Sequence, residues 1–459
     1  MTRRRGWLLP DLAMVAAAVT LFYCLFLFQG YRKLFRDSDA GWHIRNGESI
    51  LATGQLPHAD PYSFTKPGEP WFAWEWASDV MAGAIDRAAG LRGVAFFYSV
   101  AIAAGVWMWF RLHWAMGGNF LIACAMAPLL LSTCDIHWLA RPHVLGWLLL
   151  AGVVWWCEAR GPLWALAGIM LVWANVHASF FLGAVVVLCY ARPAALAVAT
   201  LVPLLNPYGW HLYQHVWLYL TDSDLLSRIG EFQSFDFHAE GASQILVAVI
   251  LAIAGGTLAL LLRRWPHLLL AMLFSVMALR SARGLPLMAL VALPIANAAI
   301  AAVLPYKRFL AYAARLRAFD SQMSGLALVP VALLGAWALL RLLPAGFPPD
   351  VFPVAAYSHL APDGRLFAPD KFGGYLIYRS NGARKVFFDG RSDFYGAEFL
   401  KQYGRLVQVR PGWKSYWDSC NFSEALLPND APLLAALEAS GWHPVYRDGV
   451  VTILRPDGT

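Results

Sequence analysis

Charged side chains are sparse in this sequence: 36 Lys and Arg with 29 Asp and Glu make up 14% of its 459 residues, where soluble domains carry about 25%. With 59% apolar residues and a mean hydropathy of +0.51, too little polar surface remains to coat a water-soluble particle, and disorder is excluded on the same ground. Cysteine is scarce too. The six (Cys24, Cys124, Cys134, Cys157, Cys189 and Cys420) show no metal-ligand spacing, and all but Cys420 lie in or beside apolar runs. They read as small packing residues, and a disulfide scaffold is excluded. No G-x-x-x-x-G-K-S/T phosphate loop, G-x-S-x-G elbow or H-E-x-x-H helix occurs, so ATP hydrolysis and conventional serine or zinc hydrolysis have no support. Internal repeats and low-complexity segments are also missing. What is present is a succession of long apolar runs and 21 tryptophans, the composition of a mainly α, polytopic membrane helical bundle.

The net charge of +7 and pI near 9.1 do not point to nucleic acid, because much of the basic excess sits in short clusters between apolar runs. Arg3-Arg4-Arg5 precedes an apolar stretch from Leu8 to Phe28 that has no small-residue cleavage site. It is expected to be a first span with its start in the cytoplasm. About ten further spans are expected, centred near residues 103, 126, 150, 169, 184, 199, 252, 273, 294 and 334. In this register every inside loop is basic: Arg111, Arg160, Arg192, Arg263-Arg264, and Lys307 to Arg317. Two long loops, 31–93 and 206–242, then fall outside. A Pro- and Gly-rich linker from Pro344 to Pro349 ends the span-bearing region, 1–342. Residues 343–459 carry 24 charges in 117 positions and read as a small α/β domain outside the membrane. Its strand-like runs are Lys385–Phe388 and Val450–Leu454, and its helix-like run is Ala431–Ser440.

Polar residues near a membrane need an explanation. The first outside loop opens with Arg36-Asp37-Ser38-Asp39-Ala40-Gly41-Trp42-His43-Ile44-Arg45. Asp37 and Asp39 could share a divalent cation such as Mg or Mn, or one could act as base for an acceptor hydroxyl or amine. A solvated segment with an Asp helix cap would use the same residues. Arg141 and His143, Asn175 and His177, Asn206 and Tyr208, and Glu231 all lie at outer ends of predicted spans or in outside loops. So do Arg280 and Arg283, against the positive-inside trend. An anionic phosphate would give such outer arginines a partner. Carboxylates in one loop and arginines at several helix ends suit a lipid-borne phosphate at the interface.

The string Asp37-Ser38-Asp39-Ala40-Gly41-Trp42-His43-Ile44-Arg45-Asn46-Gly47, continuing through Gly54–Thr65, resembles the first periplasmic loop of bacterial multi-span proteins of the GT-C glycosyltransferase superfamily. Arg141-Pro142, Trp173–His177, Asn206–Gly209, Glu231-Phe232, Gly373–Leu376, Phe388–Arg391 and Tyr395-Gly396 follow the same pattern in order. The resemblance implies about eleven transmembrane helices, amphipathic helices in the first outside loop, and a C-terminal periplasmic domain on the bacterial inner membrane. It also implies transfer of a sugar, with inversion, from a polyprenyl-phosphate or polyprenyl-pyrophosphate donor to a glycan, lipid or protein acceptor. By position, Asp39 is the preferred catalytic carboxylate and Asp37 its electrostatic or cation-sharing assistant. Arg141, Arg280 and Arg283 are expected to hold the donor phosphate. His43, Arg45, His177, Asn206, Tyr208 and Glu231 are expected to position donor or acceptor. The competing readings are a transporter of lipid-linked sugar, using interrupted spans as a path, and a non-catalytic scaffold for envelope assembly.

Overall fold

The computed structural model describes residues 6–457; the Arg3-Arg4-Arg5 run lies outside them. Helix α1 (Leu12–Phe26) starts where the Asp11 carboxylate accepts the Met14 N–H at 2.9 Å, satisfying a donor the first turn leaves free. Helix α2 (Asp39–Thr53) follows in the first long loop, and α3 (Trp76–Ala115) runs from that loop through the bundle with a kink at Gly90. Among the described residues, three helices are long and apolar enough to cross a membrane: α3, Ala242–Leu261 and Gly284–Val303. At 1.5 Å per residue, a 20-residue helix matches a hydrocarbon core about 30 Å thick.

The expectation of about eleven full spans is therefore corrected to three. Every expected centre does fall on an apolar helix, but eight of these helices have only 10–17 residues. The runs are cut by residues that break helices. His177, extended at φ −162°, separates Leu163–Val176 from Phe181–Cys189, and Arg192-Pro193 interrupts the chain before Pro193–Leu201. Large apolar side chains such as Trp164, Leu201, Val331 and Leu334 project outward from these helices, a surface suited to lipid rather than water.

The tail contains a four-stranded sheet in the order β1-β2-β4-β3, formed by β1 (Leu366–Phe367), β2 (Glu424–Pro428), β3 (Trp442–Arg447) and β4 (Val451–Pro456). β1 pairs parallel to β2; β2 and β3 pair antiparallel to β4, with Leu426 opposite Ile453. The Val450–Leu454 run thus becomes the buried central strand. The Ala431–Ser440 run becomes helix Pro432–Glu438. Lys385–Phe388 joins no strand of this sheet; Val386 instead bridges Ser63 of the first long loop. Backbone groups that would have paired within the tail serve to attach it to that loop.

Glycines set this attachment. A Cβ on Gly47 of α2 would lie 1.7 Å from the Asp79 carbonyl of α3, and one on Gly83 would lie 2.5 Å from the Glu48 nitrogen. On the other side of α2, a Cβ on Gly41 would lie 2.2 Å from the Gly374 carbonyl, and one on Gly374 2.2 Å from the Ser38 carbonyl. Helix α2 is therefore held at backbone contact between α3 and the tail helix Asp370–Arg379. Any side chain forces these backbones apart, a kind of overpacking that typically costs about 1–3 kcal/mol. Gly41→Ala is expected to lower the thermal unfolding temperature of the detergent-purified protein. Gly105→Ala on α3, where a Cβ meets nothing within 4 Å, is expected to leave it unchanged or raise it.

Candidate active site

The spacing of Asp39, His43, Asn46, Gly47 and Ile50 places them along one side of α2, where all are buried. Asp39 is the first helical residue, and its N–H donates to the Asp37 carboxylate at 2.9 Å. Gly54 ends the helix in the left-handed region, φ +68°, with its N–H donating to the Ile50 carbonyl. The polar end of α2 opens onto a cavity of about 210 Å³ walled by Asp39, His43, Glu75, Arg141, His177, Glu231 and Arg283, with aromatic faces from Trp42, Trp71, Trp74 and Tyr219.

Arg141 occupies the centre of one wall. Its Nη1 lies 2.6 Å from Asp37 Oδ2 and 3.7 Å from Glu231 Oε1, and its Nη2 lies 2.8 Å from Asp39 Oδ2. Glu231 passes the network on to Arg283, whose Nε and Nη2 both approach Glu231 Oε2 at 2.5 Å. Arg283 stacks 4.6 Å over the Phe232 ring and keeps 38% of its side chain exposed, so one guanidinium of the network remains accessible. Burial, followed by the neighbouring Asp37 charge, pushes the Asp39 carboxyl up to about 7 despite Arg141. Glu231 is also buried, but Arg283 and then Arg141 outweigh that cost and hold its carboxyl well below the usual range.

The opposite wall carries a second polar set. His43 Nδ1 lies 2.6 Å from Asp79 Oδ1, and Asn46 Nδ2 donates to Asp79 Oδ2 at 2.6 Å. Glu75 sits between two histidines, 3.4 Å from His177 Nε2 and 3.7 Å from His43 Nε2. Burial, then the Asp79 charge, pushes the Glu75 carboxyl up to about 8. Burial also holds His43 and His177 neutral, with His177 lowered to about 3.

The tail closes the cavity with Gly390, Arg391, Ser392 and Asp393. A Cβ on Gly390 would lie 2.0 Å from Asp39 Oδ1, so the tail backbone passes directly against the carboxylate. Arg391 anchors this closure: it donates to both oxygens of Asp389 and, through Nη2, to Asp60 of the first long loop, each at 2.8 Å. Asp60 is itself held by the Tyr62 and Ser63 N–H groups. Three donors beside the cavity, Trp42 Nε1, Arg141 Nε and Arg391 Nη1, are buried without a hydrogen-bond partner among the described residues.

Asp37, Asp39, Arg141, Arg283, His43, His177 and Glu231 are thus brought together as a set. Four expected site residues are not. Arg280 ends Trp265–Arg280 on the exterior, where a cation opposes the negative end of the helix dipole; that supplies the local reason for its position. Arg45 clamps α2 to the tail, donating to the Tyr378 carbonyl at 3.0 Å and stacking 4.2 Å over its ring. Asn206 folds its own turn by accepting the Tyr208 N–H at 2.7 Å. Tyr208 donates to the Ala73 carbonyl at 3.3 Å and stacks on Phe72. Asn175 accepts the Trp76 indole N–H. Glu75, Asp79 and Arg391 were not anticipated as site residues; the acid amid the tryptophans of Trp71–Trp76 was the available signal for Glu75.

The expected divalent cation would have to compete with an arginine for its ligands. Both carboxylates offered to it are already ion-paired with Arg141, and no cluster of three or more His, Cys, Asp or Glu suited to a metal occurs among the described residues.

This arrangement lies within a known architecture. The fold resembles an archaeal oligosaccharyltransferase. The structure of the Archaeoglobus fulgidus oligosaccharyltransferase in the apo form superposes with a TM-score of 0.56 over 91% of this chain and 69% of that chain, at 12% identity. The same enzyme tethered to an acceptor peptide containing the NVT sequon gives 0.57 over 91% and 68%, at 11% identity. At this identity the likeness is one of fold. No protein-family model and no curated protein sequence matches the chain.

Three outcomes are expected. Arg391→Met strands two buried carboxylates, a change that costs about 3–5 kcal/mol in comparable buried pairs, and should lower the unfolding temperature markedly. Mn²⁺ titrated into the protein should keep its free-ion EPR signal; a bound fraction abolished by Asp37→Asn would contradict the Arg141 pairing. Raised carboxyls at Asp39 and Glu75 mean that the native state holds more protons than the unfolded chain between about pH 4 and 8. Their contribution to stability is therefore lost as pH rises through that window, whereas that of Glu231 is lost as pH falls below the ordinary carboxylate range. Unfolding temperatures measured across this range should decline towards the alkaline side, less steeply in Asp39→Asn and Glu75→Gln.

Proposed function

We propose that the protein is a glycosyltransferase that moves a sugar from a polyprenyl-phosphate or polyprenyl-pyrophosphate donor to an acceptor on the outer face of a bacterial inner membrane. The observation that carries this reading is the Asp39–Arg141–Glu231–Arg283 network facing an aromatic-walled cavity in a fold like that of an oligosaccharyltransferase. Aromatic walls suit a pyranose ring. Phe181, Leu182 and Leu287 on the bundle side of the cavity suit the first isoprene units of a carrier.

In this reading Arg283, half-buried and held by one carboxylate, takes the donor phosphate together with Arg141, stabilising negative charge as the bond from sugar C1 to the phosphate oxygen breaks. Asp39 accepts a hydrogen bond from the attacking group and aligns it with C1, with Asp37 keeping Arg141 in register. Attack opposite the leaving phosphate inverts C1. The same reading has the N-terminus of α1 in the cytoplasm and the tail in the periplasm, and it routes no reaction step through a metal ion.

Asp39→Asn is expected to lower transfer about 10²–10⁴-fold, and Arg283→Met about 10²–10³-fold, without loss of folding. Wild-type transfer should fall as pH is lowered through about 7, as Asp39 protonates. The measurement is product formation from a lipid-linked sugar in liposomes. Wild-type rates in Asp39→Asn would reject the assignment.

A further inference from the structure

The second wall of the cavity contains a chain of groups for which the reading above has no use. Helices α2 and α3 place His43 and Asp79 at 2.6 Å because Gly47 and Gly83 let their backbones touch. Glu75 immediately precedes α3 without capping it, which leaves its carboxyl positioned between the Nε2 atoms of His43 and His177. Hydrogen bonding fixes the tautomer of His177: its Nδ1 accepts the Ser179 N–H at 3.1 Å, so Nε2 carries the proton that points to Glu75. His43 has one ring nitrogen on Asp79 and the other towards Glu75, 3.7 Å away. That gap is longer than a hydrogen bond in this state, and such contacts commonly tighten when substrate fills a site.

Resting on the glycosyl-transfer reading, we propose that Glu75 is the group that takes the proton of the acceptor, and that His43 and Asp79 form the relay that readies it. Before reaction Glu75 is protonated, and the His43 Nδ1–H faces the Asp79 carboxylate. The Glu75 proton moves to His43 Nε2 while the His43 Nδ1 proton moves to Asp79 Oδ1. His43 stays neutral throughout, and the cluster keeps one proton on two carboxyls. Glu75 is now a carboxylate at the cavity wall. As the acceptor oxygen or nitrogen bonds to sugar C1, its proton passes to Glu75, and the electrons of the breaking C1–O bond leave with the phosphate. The extra proton is released to water with the product.

Several features support this division of labour. Asp39 is paired with Arg141 through Oδ2, which suits it to align a nucleophile, whereas Glu75 lies between two histidines. Burial makes charge on His43 unfavourable, and the double shift avoids that charge. Glu75 is faced by His43 from α2, His177 from the following connection and Asp79 from its own helix, with Arg141, Arg283 and Asp393 as the more distant charges. Asn46 holds the far oxygen of Asp79, leaving Oδ1 to the relay.

Infrared spectroscopy of the full chain in nanodiscs, with glutamate ¹³C-labelled at its side-chain carboxyl, tests the proton site without substrate. A protonated-carboxyl band that shifts with the label at neutral pH, disappears at alkaline pH, and is lost in Glu75→Gln is expected. Absence of any label-sensitive band overturns the proposal, even if Glu75→Gln fails to fold. In the liposome transfer assay, Glu75→Gln should lower kcat about 10²–10⁴-fold with KM for the donor little changed and the pH profile flattened; Asp79→Asn should act in the same direction. An unchanged kcat and pH profile in Glu75→Gln overturns the relay while leaving glycosyl transfer standing. A wild type that shows the Glu75 band but no transfer keeps the proton site and rejects the glycosyl-transfer reading.

Discussion

The backbone contact of α2 with its two neighbours is the constraint on which the site depends. Gly47 and Gly83 bring α2 onto α3, and Gly41 and Gly374 bring it onto the tail. These contacts are too short for any Cβ, so the positions of Asp39 and His43 are fixed by main chain rather than by adaptable side chains. A site built on rigid elements holds its geometry more closely than one built on loops. Here a loop segment acquires that rigidity by being pressed between a helix of the bundle and a helix of the tail.

Electrostatics divides the cavity into two halves of different character. In one half, guanidinium groups compensate carboxylates: Arg141 touches Asp37, Asp39 and Glu231, and Glu231 holds Arg283. In the other, Glu75, Asp79, His43 and His177 pair with one another rather than with an arginine among the described residues, and burial favours the protonated form of Glu75. Fixed charge suits the binding of an anion, and mobile protons suit the making and breaking of bonds to hydrogen. The two halves meet at α2, where Asp39 and His43 lie one helical turn apart.

Much of this was legible in the sequence, and the rest was hidden for physical reasons. The Asp37–Arg45 string, Arg141, Arg283 and Glu231 were identifiable because charge beside apolar runs stands out. Arg45, Asn206 and Tyr208 looked the same on that criterion, yet their partners are Tyr378, their own turn and Ala73. Sequence shows that a polar group needs a partner without showing which one. Glu75 was masked by the tryptophans around it, and Asp79 by its place on an otherwise apolar helix. Arg391 could be placed in a recurring string, but its bond to Asp60 spans 331 positions, beyond any local pattern. The apolar runs marked helix centres well and lengths poorly, because an interruption by one histidine or one Arg-Pro pair shortens a helix while hardly changing average hydropathy.

The closing of the cavity by Gly390–Asp393 has a consequence in time. Ribosomes deliver this chain from its N-terminus, so α2, Arg141 and Arg283 all exist before the segment that seals them. Until residues 389–391 are made and Arg391 has found Asp60 and Asp389, the cavity lacks a wall and Asp39 lacks the tail backbone that passes against it. Closure of the cavity therefore arrives late in synthesis. A chain stalled or clipped before the tail would keep the bundle helices and most of the polar groups, yet have no enclosed chamber in which to use them.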